Sequence, residues 1–124
     1  MISGGSRKTH GLSKAERLCG KSSVERVFAC GRWGALQPLR YCWAPREEGP
    51  TRILVSVPKK FFKRAVKRNL LKRRMREAFR LQKDLLGGRS YDILFLYNSP
   101  YESEFQPLRE EMALVLKEIS SYNK

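Results

Sequence analysis

The segment from Ala65 to Leu86 restricts the fold of this chain more than any other feature of its sequence. At about 100° per residue, its side chains divide into two stripes on different sides of a helix. The first stripe spans about 120° and is almost entirely apolar; it comprises Leu71, Met75, Ala78, Phe79, Gln82, Leu85 and Leu86. The second spans about 100° and is almost entirely cationic; it comprises Asn69, Lys72, Arg73, Arg76, Arg80 and Lys83. The pattern predicts one helix that packs its apolar stripe on a core and exposes the cationic stripe.

The positive charge of the chain is concentrated around this helix. The chain has 26 Lys and Arg against 12 Asp and Glu, a net charge of +14. Residues 59–83 contain 12 of the basic residues and a single acid, Glu77, so this stretch alone carries +11. A face that serves only solubility mixes Glu with Lys, because like charges three or four residues apart repel by roughly 0.2–0.5 kcal/mol per pair. The unbalanced face therefore predicts a polyanionic partner, most often nucleic acid.

Membrane and secreted proteins are disfavoured by the sequence. No apolar run approaches the ~20 residues that span a bilayer, and no apolar stretch follows the N-terminal charges, so we expect neither a membrane span nor a signal peptide. Three cysteines cannot all pair within one chain, and the spacings of Cys19, Cys30 and Cys42 match no zinc motif. We therefore expect free thiols in a reducing compartment and a cytoplasmic protein.

The order of predicted elements is α-β-β-β-α-β-α. A capping-box pattern of Ser22 and Glu25 predicts the start of the first helix, and Gly31 predicts its end. Strands are predicted over residues 32–36, 39–43, 52–57 and 91–97, and the last helix over residues 103–120. Residues 1–11 are predicted to be a flexible basic arm, and residues 12–124 a single RNA-binding α+β domain.

The stretch AVKRNLLKRRMREAFR at residues 65–80 resembles the signature of the bacterial ribonuclease P protein family. That signature has the form Ala-Val-x-Arg-Asn-x-x-Lys-Arg-x-x-Arg-Glu-x-Phe-Arg, and its polar positions include Arg68, Asn69, Lys72, Arg73 and Arg76. Flanking segments resemble the family as well, at residues 12–18, 24–31, 55–60 and 91–93. Two departures are a stretch at residues 61–64 that is one residue longer than in the family and Leu70 where the family often has Arg.

The resemblance implies a fold, an activity and a set of partners. The fold is a single-domain α+β structure in the order given above, with a four-stranded sheet packed with helices. The activity is that of an endoribonuclease that removes the 5′ leader from precursor tRNA, in which a large RNA performs the hydrolysis and requires Mg²⁺. The protein would be an accessory subunit that binds the ribonuclease P RNA and the 5′ leader, with no cofactor held by its own side chains.

The resemblance also implies two groups of binding residues. Those expected to bind RNA are Lys67, Arg68, Asn69, Lys72, Arg73, Arg76 and Arg80. Those expected to form a cleft for the leader are Phe28, Arg40, Cys42, Lys59 and Lys60. Aromatic rings bind unpaired bases by stacking, and the candidates near predicted strands are Phe28, Trp33, Tyr41, Trp43, Phe61 and Phe62. Core packing is the default expectation for each of them except Phe28, which matches a phenylalanine of the family's cleft.

The sequence offers no group of side chains suited to catalysis. The only histidine, His10, lies in the Gly-rich arm, and the carboxylates are sparse and unclustered, so we predict no catalytic and no metal-binding side chains. A protein-only nuclease is disfavoured for the same reason. A general RNA-binding module such as a ribosomal protein has a similar charge and size and remains the alternative, although the flanking matches favour the ribonuclease P protein.

Overall fold

The elements of the protein follow each other in the predicted order. A computed structural model describes residues 16–18 and 20–122, which leaves the predicted arm at residues 1–11, His10 and Cys19 outside the described residues. The elements are α1 (Lys21–Cys30), β1 (Arg32–Leu36), β2 (Leu39–Arg46), β3 (Arg52–Ser56), α2 (Ala65–Gln82), β4 (Ser90–Tyr97) and α3 (Phe105–Ser121). None of the described helices has the length and apolar character needed to cross a membrane.

The four strands form one sheet in the order β1-β2-β4-β3. β2 runs antiparallel to both of its neighbours, whereas β3 and β4 are parallel. Parallel neighbours need a crossover connection, and α2 provides it between β3 and β4. The helix with the cationic stripe is therefore fixed beside the sheet by the connectivity of the chain.

The two faces of the sheet are covered to different extents. On one face, α2 and α3 pack together against the strands, and α2 contributes Leu71, Met75 and Phe79 to this main core. α3 contributes its predicted apolar stripe; the buried residues are Leu108, Met112, Val115, Leu116 and Ile119. On the opposite face, α1 covers a smaller cluster, whose buried residues are Leu18, Val27, Cys42 and Leu94. A helix of 10 residues leaves part of that second face uncovered.

Two local predictions are wrong. α1 begins at Lys21 with Gly20 as its N-cap and no side-chain cap, so Ser22 does not form the predicted capping box. α2 is regular only to Gln82, and a 3-10 helix, Lys83–Leu86, follows it. The tighter turn changes the angular position of each residue, so Leu86 is buried while Leu85, predicted on the apolar stripe, is exposed.

Gly31 sets the distance between α1 and the sheet. Its backbone is extended, with φ of −82°, so it does not end the helix through a left-handed conformation. A Cβ at this position would lie 2.4 Å from the carbonyl oxygen of Val27 and 2.8 Å from Sγ of Cys42. Only glycine allows α1 to end this close to β2.

Candidate nucleic-acid interface

The cationic face of α2, defined as Asn69, Lys72, Arg73, Arg76 and Arg80, borders an open groove of about 500 Å³. The residues that line the groove are Val66, Asn69, Leu70, Arg73 and Arg76. The ion pairs formed by α2 within the described part of the chain involve Lys67, Arg74 and Arg80, and neither Lys72 nor Arg73 forms one there. The charges of these two side chains are therefore available to an external anion.

An arginine from outside α2 lies near Arg76. Burial, together with the nearby positive charge of Arg17, lowers the pKa of Arg76, although a guanidinium stays protonated in proteins. Arg17 is held in place by a parallel bridge to Ile53 at the free edge of β3. The charge of Arg17 therefore adds to the positive potential around Arg76. Sequence reasoning missed Arg17 because its neighbour Arg76 is 59 positions away in the chain.

Two of the predicted RNA-binding residues point away from the cationic face. Nζ of Lys67 lies 2.7 Å from Glu102, which also accepts a hydrogen bond of 2.9 Å from Arg74. These hydrogen bonds from Lys67 and Arg74 lower the pKa of Glu102. Arg68 donates hydrogen bonds of 2.8 Å to the carbonyl oxygens of Phe62 and Lys63. Lys67 and Arg68 therefore fasten α2 to the turns around it.

Arg80 remains on the cationic face but is paired. Its guanidinium donates two hydrogen bonds to the carboxylate of Glu77, at 3.0 and 2.5 Å. These hydrogen bonds raise the pKa of Arg80. The single acid within residues 59–83 thus neutralises the C-terminal part of the face, and Lys72, Arg73 and Arg76 carry the charge that no described residue pairs.

A second candidate surface lies where α1 meets the edge of the sheet. Phe28 is 50% exposed and its ring centroid lies 5.8 Å from that of Trp33, which is 47% exposed. The guanidinium carbon of Arg40 lies 5.3 Å from the centre of the Trp33 ring. Tyr41 and Trp43, in contrast, are buried in the main core. Phe28, Trp33 and Arg40 form one exposed group, called the aromatic patch below.

An open row of the sheet continues from the aromatic patch. The strand register aligns Ala35 with Arg40, Arg40 with Leu96, and Leu96 with Ser56, so the row crosses all four strands. Ala35 and Arg40 are exposed, and the other two side chains are partly exposed. The adjacent row, which contains Cys42, lies under α1. The open row and the side of α1 next to it are called the cleft below.

Cys42 does not line this cleft, contrary to the prediction. Its side chain is fully buried under α1, and its thiol donates a hydrogen bond of 3.3 Å to the carbonyl oxygen of Val27. Burial also raises the pKa of the thiol. Trp33 is the register partner of Cys42 on β1, and it presents an exposed ring on the same side of the sheet. The alternation of side chains along β1 was the signal that could have identified Trp33.

Lys59 and Lys60 lie in the turn between β3 and α2 and are exposed. β3 ends at Ser56, in the open row, so the two lysines follow the end of the cleft in the chain. Nζ of Lys60 lies 5.0 Å from the centre of the Phe61 ring. These lysines are at the far side of the sheet from the aromatic patch, because β3 and β1 are its two edge strands.

The one buried acid among the described residues is already bound by arginines. Asp92 is fully buried and accepts hydrogen bonds from Arg26 and Arg52. No group of three or more His, Cys, Asp or Glu among the described residues is arranged to hold a metal ion. The described surface offers cations on α2 and aromatic rings beside the cleft, which are groups that bind nucleic acid.

Comparison with known proteins gives a consistent result. The family model described as Ribonuclease P matches residues 12–120. The Ribonuclease P protein component of Chlorobaculum tepidum is 33% identical over 133 residues, covering 93% of this chain and 86% of that protein. The protein of the same name from Porphyromonas gingivalis is 47% identical over 81 residues, covering 63% of this chain and 59% of that protein.

The fold is also shared with a solved structure. The RNase P protein of Staphylococcus aureus superposes with a TM-score of 0.74 and 26% sequence identity, covering 86% of this chain and 96% of that chain. The family match extends over most of the chain and includes α2 with its cationic face. The chain therefore belongs to the ribonuclease P protein family.

Proposed function

We propose that this chain is the protein subunit of a cytoplasmic ribonucleoprotein, ribonuclease P. It binds the catalytic RNA through the cationic face of α2 and the 5′ leader of precursor tRNA through the cleft beside α1. The RNA hydrolyses the phosphodiester bond that releases the leader and produces the mature 5′ end. Membership of the family supports this role, and the distribution of charge on α2 is the observation that carries it.

The charges of α2 are divided between two purposes. On one side, Lys67 and Arg74 share the carboxylate of Glu102 and hold the helix in the fold. On the other side, Lys72 and Arg73 form no ion pair with a described residue, and Arg76 lies near a further arginine. Unpaired cations in a row repel one another, and a neighbouring polyanion offsets this repulsion; the phosphates of RNA supply one negative charge per nucleotide. This side of α2 therefore suits an RNA backbone.

We propose a division of labour between protein and RNA in the reaction. Metal-assisted hydrolysis of a phosphodiester requires Mg²⁺ held by hard oxygen ligands. The RNA phosphates supply such ligands, and the protein's cations offset the repulsion between phosphates that approach each other. Asp92 does not take part, because its carboxylate is occupied by Arg26 and Arg52.

The leader is proposed to lie in the cleft because the cleft combines rings and cations. Phe28 offers a half-exposed ring on which an unpaired base can stack. Arg40 lies in the open row, and Lys59 and Lys60 follow the end of β3. A single-stranded leader exposes both its bases and its phosphates, whereas the paired acceptor stem of mature tRNA hides its bases. The cleft should therefore distinguish precursor from mature tRNA.

The experiment that tests this function compares precursor and mature tRNA. The holoenzyme is assembled from this chain and a bacterial ribonuclease P RNA, and its affinity for each tRNA is measured. Phe28→Ala should weaken binding of the precursor by ~1–3 kcal/mol, the value of one stacked base, and leave binding of mature tRNA nearly unchanged. Because Phe28 is half-exposed, the melting temperature should change little.

A matched control uses an exposed aromatic residue that belongs neither to the aromatic patch nor to the open row. Tyr101 is 79% exposed, and its hydrogen bonds are made by its backbone, so Tyr101→Ala should leave both affinities unchanged. Equal losses for precursor and mature tRNA in the Phe28→Ala enzyme would contradict the proposed leader site.

A further inference from the structure

We propose that Trp33 is a second stacking residue for the leader, which takes a further unpaired base and extends the site onto β1. The inference rests on the proposed function, because it assumes that a single-stranded leader enters the cleft. It adds a binding residue on the edge strand, outside α1 and the open row.

Trp33 and Phe28 are adjacent on the same side of the sheet. The register pairs Trp33 with Cys42, which lies under α1, so the indole is on the α1 side. The ring centroids of Trp33 and Phe28 are 5.8 Å apart, and their planes differ by 31°. Two adjacent bases of the leader can therefore stack at the same time, one on Phe28 and the other on Trp33.

The exposure of Trp33 contrasts with that of the other tryptophan. Trp43 lies on β2, is 3% exposed and packs edge-on against Tyr91 with ring centroids 5.4 Å apart. Trp33 leaves 47% of its side chain in solvent although it stands beside a partly exposed phenyl ring. Two large apolar rings exposed side by side form a patch typical of a binding site rather than of an inert surface.

The surroundings of Trp33 favour an RNA ligand. The guanidinium of Arg40 lies 5.3 Å from the centre of the indole ring and brings a positive charge to the patch. The four side chains of the open row, Ala35, Arg40, Leu96 and Ser56, include no carboxylate. Single-stranded RNA is bound by aromatic faces and arginine planes together, because each unpaired nucleotide offers a ring and a phosphate. The patch has both components.

The first test measures affinity of the assembled holoenzyme. Trp33→Ala should weaken binding of leader-bearing precursor tRNA by roughly 5- to 140-fold, equivalent to ~1–3 kcal/mol for one base, and leave mature tRNA unaffected. Trp33→Phe keeps an aromatic face and should retain most of the affinity. Phe28→Ala is measured alongside. If Phe28→Ala has no effect on the precursor, the proposed leader site fails. If Phe28→Ala has its effect and Trp33→Ala has none, this inference alone fails.

The double variant separates direct contact from an indirect effect on Phe28. If Trp33 stacks on its own base, Trp33→Ala should weaken binding further in the Phe28→Ala background. If Trp33 serves only to orient Phe28, the double variant should bind the precursor as the Phe28→Ala variant does, and this result would overturn the inference.

The chain contains two tryptophans, so fluorescence offers a readout that is independent of affinity. Acrylamide reaches the exposed Trp33 but not the buried Trp43. Addition of precursor tRNA to the holoenzyme should protect the fluorescence of Trp33 from quenching by acrylamide. Addition of mature tRNA should give no such protection. The Trp33→Phe holoenzyme should lack the accessible component. Equal quenching with precursor and mature tRNA would contradict the assignment.

Discussion

Arg26 of α1 donates a hydrogen bond of 2.7 Å from Nη2 to Oδ2 of Asp92 in β4, whose side chain is fully buried. Arg52 of β3 adds two hydrogen bonds of 2.8 Å to the same carboxylate. Nε of Arg46 lies 4.0 Å from Oδ1. Asp92 of β4 thus connects α1 to β3 and lies close to Arg46 of β2, and Phe28 follows Arg26 by two residues. The position of the aromatic patch depends on this connection.

The first prediction concerns the strength of this connection. Asp92→Asn leaves three arginines without their shared negative charge, and removal of one partner from a buried pair costs about 3–5 kcal/mol. Because Arg26 and Arg52 are partly exposed, we expect a loss near 3 kcal/mol in the free energy of unfolding, measured with urea. Glu102→Gln, which breaks partly exposed pairs, should cost less. A larger loss for Glu102→Gln would contradict this assignment.

The second prediction concerns acid. Burial raises the pKa of Asp92, but the hydrogen bonds and charges of Arg52 and Arg26 lower it more, so the pKa lies below its ordinary value of 3.8. A carboxyl whose pKa is depressed in the folded state stabilises the fold above its unfolded pKa and loses that contribution as the pH falls through the folded pKa. The free energy of unfolding should therefore fall below about pH 4 in the wild type. The decrease should be shallower in Asp92→Asn. If the free energy of unfolding fell equally with pH in both proteins, Asp92 would not be the group responsible.

The third prediction separates the two sides of α2. Arg73 makes no ion pair with a described residue, so Arg73→Ala should spare the melting temperature. It should reduce the slope of log affinity for the ribonuclease P RNA against log salt by about 0.7–0.9, the contribution of one phosphate contact.

Arg74→Ala is the matched control on the other side of the helix. Arg74 donates hydrogen bonds of 2.9 Å to Glu102 and 2.6 Å to the carbonyl oxygen of Ser103, so its loss should lower the melting temperature and leave the salt slope unchanged. If Arg74→Ala reduced the salt slope and Arg73→Ala lowered the melting temperature instead, the RNA would bind the side of α2 that carries Arg74.

Local periodicity was sufficient to predict much of the fold. The apolar spacing of α2 correctly identified Leu71, Met75 and Phe79 as core residues, because burial of a helix face follows directly from 3.6 residues per turn. Turn residues and β-branched runs located the strands within a few residues; β2 continues to Arg46, past its predicted end. The predicted burial of Leu85 was wrong, because a 3-10 helix with fewer residues per turn replaces the α-helix there.

Contacts between distant segments determine what the sequence could not predict. Whether Lys67 is available to RNA depends on Glu102, which lies 35 residues further along the chain. Whether Cys42 is covered depends on where α1 lies, and this is fixed by the contact of Arg26 with Asp92 across 66 residues. The exposure of Trp33 depends on the order of strands in the sheet, which leaves β1 at an edge. The first two relations have no local sequence pattern, and the alternation along β1 gives the side of the sheet on which Trp33 lies but not its exposure.

Cleavage of precursor tRNA at low Mg²⁺ is the most direct test of the account. Three reactions are compared: the purified protein alone, a bacterial ribonuclease P RNA alone, and the two together. We predict that the protein alone produces no mature 5′ end and that the combination cleaves faster than the RNA alone, because the protein binds the leader and offsets phosphate repulsion. Cleavage by the purified protein without RNA, or no gain on adding it to the RNA, would contradict the account.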